Sequence, residues 1–564
     1  MIITDESIRQ FKVHLQQSVI VCSERCLNES AKWASELLAG IREDLNDSRV
    51  PFTQNDIHLQ TISPYHIPYE SSLNPLLEHE YNLYLYAKSL FQLREFDSVK
   101  SVLGDSKSPK LYFLRLFAKY LVGEKNKEEL SQEILGATEN AKAENLELQS
   151  IYKELVEDYE KDRLDAFGLY LYGVVLNRRK VPEQAARILF QSLQKYPYNW
   201  SAWLELGTLV KDTKMFLDLQ HLLNQEFKHN VMKDFFLAKL SIDLHQPRST
   251  FKALMEPLTD YFPKSAYVLS QWAVFFYDTQ NYNESSALFE ELHRSFPTRL
   301  EHMDVFSNLL YLLNSVDKLC VLALECAKID KYRPETCSVI ANYHSLKGDM
   351  PESVEYFKRA LQLDRNYYLA WTLLGHDYIE LKNTSAAIEC YRRAIDVNCQ
   401  DYRAWYGLGQ AYEIMQLYYY ALYHYRKASE LRPDDERIWL ALSNCYGANG
   451  QAAEQQRCLE RAAQCDHTAM TTASIMTAQI FEKMGKTDIA MTIYQYALER
   501  ANKEVITEEV ADMSLRLAHH ALDQNRVQEA EEYAKVALNA KHPYHERARN
   551  LLDQIMTRTT VNTK

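Results

Sequence analysis

Glycine and proline are scarce, 14 and 15 among 564 residues. That is too few for a sheet-rich or a disordered chain. None of the ten cysteines forms a C-x-x-C pair. Cys22 and Cys26 are spaced i, i+4 without histidines at ligand spacing, so burial as small hydrophobes is the better reading than a metal site. Neither a metal nor a cofactor is expected. Scattered cysteines in a helix-rich chain suit a reducing compartment. No block of Lys and Arg is present and the formal net charge is −13, which disfavours nucleic acid as a partner. "NRRK" (177–180) reads as a solvated turn. No apolar stretch approaches the roughly 20 residues of a membrane helix, and "MIITDESIRQF" lacks a signal-type apolar core. A location in nucleus and cytoplasm, away from membranes, is the expectation. The motifs G-x-x-x-x-G-K-[ST], G-x-G-x-x-G, H-E-x-x-H and G-x-S-x-G are all missing, and no cysteine sits in a nucleophile setting. The chain is expected not to be an enzyme.

What is present is repetition. "WTLLGHDYI" (371–379), "WYGLGQAYE" (405–413) and "WLALSNCYG" (439–447) share Trp-x-x-Leu-(Gly/Ser)-x-x-Tyr in steps of 34 residues. Ala360, Ala394, Ala428 and Ala462 keep the same step. A period of this length marks paired helices stacked in an array. In each unit the first helix, A, offers a tiny residue (Gly375, Gly409, Ser443). The second, B, answers with Ala387 and Ala421, then Tyr391 and Tyr425. Large against small at helical spacing allows close packing. The fold class expected is an all-α superhelical solenoid of helix–turn–helix pairs, with the Trp and Tyr side chains mainly core. Tyrosine is abundant, at 38, as suits thin layers where a ring is buried and its hydroxyl reaches water.

Along the chain, residues 1–78 read as two helices followed by a loop with Pro51, Pro64, Pro68 and Pro75. Residues 79–165 hold divergent pairs, and the Glu- and Lys-rich stretch 124–165 reads as a longer surface helix or an insertion. Residues 166–333 form middle repeats, 334–467 the regular ones, and 468–564 further repeats and a tail, with units starting near 470 and 511. Ser63-Pro64 and Ser108-Pro109 fit proline-directed phosphorylation, with ordinary turn chemistry the plainer reading.

The 34-residue pattern resembles the tetratricopeptide repeat family. "LDAFGLYLYGVVL" (164–176), "FSNLLYLLN" (306–314), "IDKYRPETCSVIANYHSLKGD" (329–349), residues 370–414 and "SAKWASELL" (30–38) are more specific. They resemble subunit eight of the anaphase-promoting complex, or cyclosome. This resemblance implies a non-catalytic subunit of a ubiquitin ligase that marks mitotic regulators such as cyclins and securin. It further implies homodimers formed through the N-terminal repeats, stacking with other repeat subunits of the complex, and a groove that receives the coactivator's C-box segment. Trp33, Leu37, Leu38 and Ile41 share one face of the second helix. Packing within the chain is one role for that face; the resemblance adds contact with a second copy.

A repeat array presents a concave surface lined by A helices. The spacing places Ser338 and Asn342 there, then Thr372, His376, Asp377 and Glu380, then Tyr406, Gln410 and Glu413. Carboxylates and amide carbonyls suit an arginine-bearing peptide. Asn342 and Asp377 match the positions that the resemblance associates with the basic residue of the C-box. The plainer reading of each is a solvated polar residue. His376 has no second His or Cys at ligand spacing and reads as a hydrogen-bond partner. A chaperone-type carboxylate clamp is disfavoured, because Ser338 and Gly407 stand where that clamp needs Lys and Arg. A generic intracellular repeat adaptor remains the alternative.

Overall fold

The computed structural model describes residues 5–42, 76–130, 145–465, 478–500, 508–538 and 544–562, apart from single positions at 105, 107, 229, 484 and 525. Pro51, Pro64, Pro68, Pro75, the Ser63-Pro64 site and the unit start near 470 lie outside them. Every regular element among the described residues is a helix. No helix there is long and apolar enough to cross a membrane. The chain divides into two compact units, residues 1–365 and 366–564; the division falls inside the 334–467 stretch of regular repeats.

In the first unit, A and B helices alternate as Ala166–Arg178 with Pro182–Lys195, Trp200–Leu209 with Thr213–Glu226, Val231–Asp243 with Arg248–Tyr261, Ala266–Asp278 with Tyr282–Ser295, Met303–Leu312 with Val316–Ile329, and Pro334–Lys347 with Met350–Leu363. In the second unit the same alternation runs Tyr368–Glu380 with Thr384–Val397, Tyr402–Ile414 with Tyr418–Leu431, and Glu436–Ala448 with Ala452–Gln464. Helices Thr487–Arg500, Glu508–Asp523, Val527–Leu538 and Tyr544–Asn562 follow. Ala530, Ala534 and Ala537 are fully buried between the last of these.

The steric pairing expected from the sequence is explicit. A Cβ on Gly375 would lie 2.5 Å from Cε1 of Tyr391, and one on Gly409 would lie 2.6 Å from the Tyr425 ring. Gly173 faces Leu189 at 2.5 Å in the same way. Both tyrosine rings are buried. Six consecutive A-to-B turns pass through a left-handed residue: Gln280, Asn314, Gly348, Lys382, Gln416 and Gly450 all have positive φ, and they recur every 34 positions. The conformation is periodic where the residue type is not. Only the glycines adopt it without steric cost.

Trp371 is buried, as expected, but Trp405 and Trp439 are half-buried. Their indole N–H groups donate to the carbonyls of Cys399 (3.0 Å) and Pro433 (2.7 Å), as Trp203 donates to Pro197 (2.7 Å). This tryptophan ties the start of helix A to the loop that feeds it, and an exposed edge is compatible with that task. Between consecutive pairs of the second unit, Arg392 donates to the Tyr412 hydroxyl at 2.7 Å and Arg426 to that of Tyr446 at 2.6 Å.

The N-terminal helices Asp5–Glu24 and Asn28–Ala39 pack into the core of the first unit. Trp33 stacks on Trp200 with ring centroids 4.0 Å apart and planes 5° from parallel. Leu37 and Ile41 are buried and Leu38 is half-buried against the same core. Of the two roles weighed for this face, packing within the chain is the one seen here: Trp200, Phe235 and Tyr267 lie against Trp33, and Leu37 and Ile41 are buried in the same core. The 124–165 stretch also differs from a plain surface insertion. Helix Pro109–Leu130 runs into it, and helix Leu148–Glu160 buries Ile151 and Leu155 in the core. Cys22 and Cys26 are buried, and burial pushes both thiols up to about 11.

Candidate functional site

Four of the nine polar residues singled out on the A helices lie deep in the structure. Ser338, Asn342, Thr372 and Asp377 are at most 4% exposed, so none of them is a plain solvated side chain. His376, Tyr406, Gln410 and Glu413 are half-buried, and Glu380 is exposed.

In the first unit, Asn342 Nδ2 donates to Ser307 Oγ at 2.7 Å and to Asn308 Oδ1 at 2.6 Å. Ser307 Oγ donates in turn to the Asp304 carbonyl at 2.7 Å. Ser307, Asn308 and Asp304 are themselves buried. The hydroxyls of Ser338 and Thr336, also buried, find no hydrogen-bond partner among the described residues. Buried polar groups without partners cost free energy, so this stretch carries polar side chains where helical packing alone would favour apolar ones. Ser307 and Asn308 were missed from the sequence. The signal was there, since Asn308 and Asn342 are one 34-residue step apart.

In the second unit, Thr372 Oγ1 donates back to the Tyr368 carbonyl at 3.1 Å. The Tyr391 hydroxyl and His376 Nδ1 share a hydrogen bond of 2.8 Å. Tyr406 leans on Tyr425 at 5.4 Å between ring centroids, and the Tyr425 hydroxyl donates to Glu413 Oε2 at 2.6 Å. Of the three carboxylates, Asp377 is buried, Glu413 is held by Tyr425 and Glu380 faces water. The structure thus joins His376 to Tyr391, and Tyr406 to Glu413 through Tyr425. Asn342 belongs to the first unit and the other residues from Thr372 onward to the second.

Burial lowers the His376 imidazole from 6.5 to about 4, with Asp401 opposing and Arg403 adding to the shift. The folded chain therefore keeps His376 neutral where the unfolded chain takes up a proton. Stability contributed here is complete above about pH 6.5 and falls as the pH drops from there toward 4. His376→Gln is expected to flatten that acid limb. Urea midpoints at pH 7 and pH 5 for the two proteins check it; equal losses in both would remove His376 from the acid response.

Residues 10–273 match the family described as anaphase promoting complex subunit 8 / Cdc23. Residues 334–367, 375–415 and 475–546 match tetratricopeptide repeats. Anaphase-promoting complex subunit 8 of Dictyostelium discoideum is 37% identical over a 601-residue alignment, covering 98% of this chain and 99% of that protein. The chain belongs to the anaphase-promoting complex subunit 8 family. The subunit of that name from Arabidopsis thaliana is 38% identical, with 64% of each chain covered. Subunit CDC23 of Saccharomyces cerevisiae is 30% identical, covering 68% of this chain and 71% of that one. The crystal structure of the APC/C hetero-tetramer Cut9-Hcn1 aligns over 87% of this chain and 99% of that one, with a TM-score of 0.50 at 14% identity, and supports the repeat fold. An all-α tetratricopeptide architecture is thus common to this subunit 8 family member and that structure.

Proposed function

We propose that this chain is a non-catalytic scaffold subunit of an anaphase-promoting complex, a multisubunit ubiquitin ligase acting on mitotic regulators in nucleus and cytoplasm. It works as a homodimer, stacks with other subunits of the complex and receives the coactivator's C-box segment along its A helices. The observation that carries this reading is 37% identity sustained over 98% of the chain and 99% of a subunit 8 relative. Affinity purification followed by mass spectrometry tests it: cullin-like and RING-type ligase subunits are expected, and their absence from a stable complex would overturn it.

The C-box reading is supported within the first unit by the buried polar side chains around Asn342 and, separately within the second, by the carboxylate of Asp377, a group that suits a guanidinium. A lysine at position 377 would bury an ammonium group at a site 4% exposed, so the informative variant is the isosteric Asp377→Asn. It and Asn342→Ala are each expected to weaken a C-box peptide at least tenfold with circular dichroism unchanged. Fluorescence anisotropy at several salt concentrations reads the effect; unchanged affinity for both would exclude these residues.

The dimer contact falls more naturally on helix Glu78–Gln92 than on Trp33. Tyr81, Leu85 and Tyr86 there are 45–56% exposed, flanked by exposed Leu77 and Leu93. An apolar face that is left exposed among the described residues fits a second copy.

A further inference from the structure

The helical hairpin of residues 5–42 touches the starts of five successive A helices. Arg25 pairs with Asp165 and lies over the Phe167 ring at 4.1 Å. Ser18 donates to the Tyr198 carbonyl at 2.7 Å, and His14 stacks on the Tyr198 ring at 4.6 Å. Ser30 donates to Asn199 Oδ1 at 3.2 Å and accepts from the backbone N–H of Ser201 at 2.7 Å. Trp33 stacks on Trp200 and meets Phe235 and Tyr267 edge-on at 5.6 and 5.7 Å. Glu36 pairs with Arg299 at 2.5 Å, and Lys32 pairs with Glu301. Gly40 is pressed so closely on Ser265 that a Cβ there would lie 2.4 Å from its Cα, while the Arg42 N–H donates to the Tyr261 carbonyl at 2.9 Å. These contacts are apolar at the centre, with ion pairs at both ends, as at an interface between two proteins. The partner here is the same chain, joined through residues 43–75.

We propose that residues 5–42 are a resident ligand of the repeats: the hairpin occupies in cis a docking face built from A-helix starts between Asp165 and Glu301. It holds those five pairs in one arrangement and closes that face to helical segments of other proteins. The face would take such a segment only with the hairpin displaced, and would select an amphipathic hairpin with a central aromatic ring, a basic residue before it and a carboxylate one turn after it. The inference does not depend on which complex the chain serves.

The experiment uses the full chain with a protease recognition sequence inserted between residues 43 and 75. After cleavage, the hairpin is expected to co-elute with the repeats in gel filtration at micromolar concentration. A fluorescent peptide of residues 5–42 is expected to exchange into the cut chain and to be refused by the uncut chain. Trp33→Ala in the peptide is expected to weaken its entry at least a hundredfold, with Trp33→Phe intermediate. Free dissociation of the hairpin from the cut chain, equal entry of the peptide into cut and uncut chains, or entry indifferent to Trp33 would each overturn the proposal. Cut and uncut chains share one folded starting material, so none of these outcomes depends on refolding.

Discussion

Gly375→Ala is expected to lower the unfolding free energy of the second unit by about 3 kcal/mol, the upper part of the usual range for overpacking a filled core. The added Cβ would lie 2.5 Å from Cε1 of Tyr391 and 2.8 Å from its Cδ1 and Cζ. The ring cannot retreat, because a Cβ position on Gly407 lies 2.5 Å from that same Cε1 on another side. Its hydroxyl is also fixed by His376. A ring confined in this way must leave its rotamer or push two helices apart. Gly375→Leu is expected to prevent folding of this region outright. The sequence itself suggests the compensation: two steps further on, Ser443 stands at the glycine position and Leu459, rather than Tyr, at the ring position, both buried. Tyr391→Leu in the Gly375→Ala background is therefore expected to recover about 1–2 kcal/mol relative to the sum of the single changes. Urea denaturation of the four proteins measures the coupling. Strict additivity would show that the glycine is not there to admit the ring.

The same pair shows why so much of the fold was legible. A repeat built on steric complementarity must repeat residue size, and size is visible in letters: Gly, Gly, Ser on helix A against Tyr, Tyr, Leu on helix B. The left-handed turn residue repeats in the structure at Gln280, Asn314, Gly348, Lys382, Gln416 and Gly450, yet only Asn314, Gly348 and Gly450 are residue types that mark it in the sequence. Any residue can be forced into that conformation when packed helices on either side determine the turn. The candidate site was legible for a related reason and only in part. Register placed Asn342 and Asp377 on A helices, but it could not say that both would be buried, nor that Ser307 and Asn308 would complete the network around Asn342. Burial of a polar residue depends on what the neighbouring repeat puts over it. The N-terminal hairpin was left with two roles through the same gap. Its apolar face is plain in "SAKWASELL", but amphipathicity tells that a face must be covered, not by what. Trp200, Phe235 and Tyr267, which cover it, lie more than 160 residues away in the chain.

Asp165→Ala is expected to cost the first unit about 4–6 kcal/mol. Two roles meet on this one carboxylate. Its Oδ1 accepts from the Gly168 N–H at 2.6 Å and caps helix Ala166–Arg178, a contribution of about 1 kcal/mol. Its Oδ2 faces Nη2 of Arg25 at 3.3 Å, and the two side chains are only 10% and 2% exposed. Breaking a buried pair by removing one member costs about 3–5 kcal/mol, because the remaining charge keeps its desolvation without its counter-charge. The guanidinium would retain the Phe167 ring beneath it at 4.1 Å, a weaker interaction than a carboxylate. Arg25→Met alone should cost a similar amount for the mirror reason, since it strands Asp165. The double replacement Arg25→Met with Asp165→Ser tells the two roles apart: serine keeps a capping oxygen, methionine fills the stem's volume, and no buried charge is left. It is expected to lie within about 1 kcal/mol of the wild type, as replacements of buried ion pairs by packed apolar groups often do. Urea unfolding followed by tryptophan fluorescence reads all three variants, because Trp33 and Trp200 stack within this same core. If the double variant is as unstable as Asp165→Ala, the pair is not the origin of the loss, and the position of the hairpin against the first A helix rests on apolar packing alone.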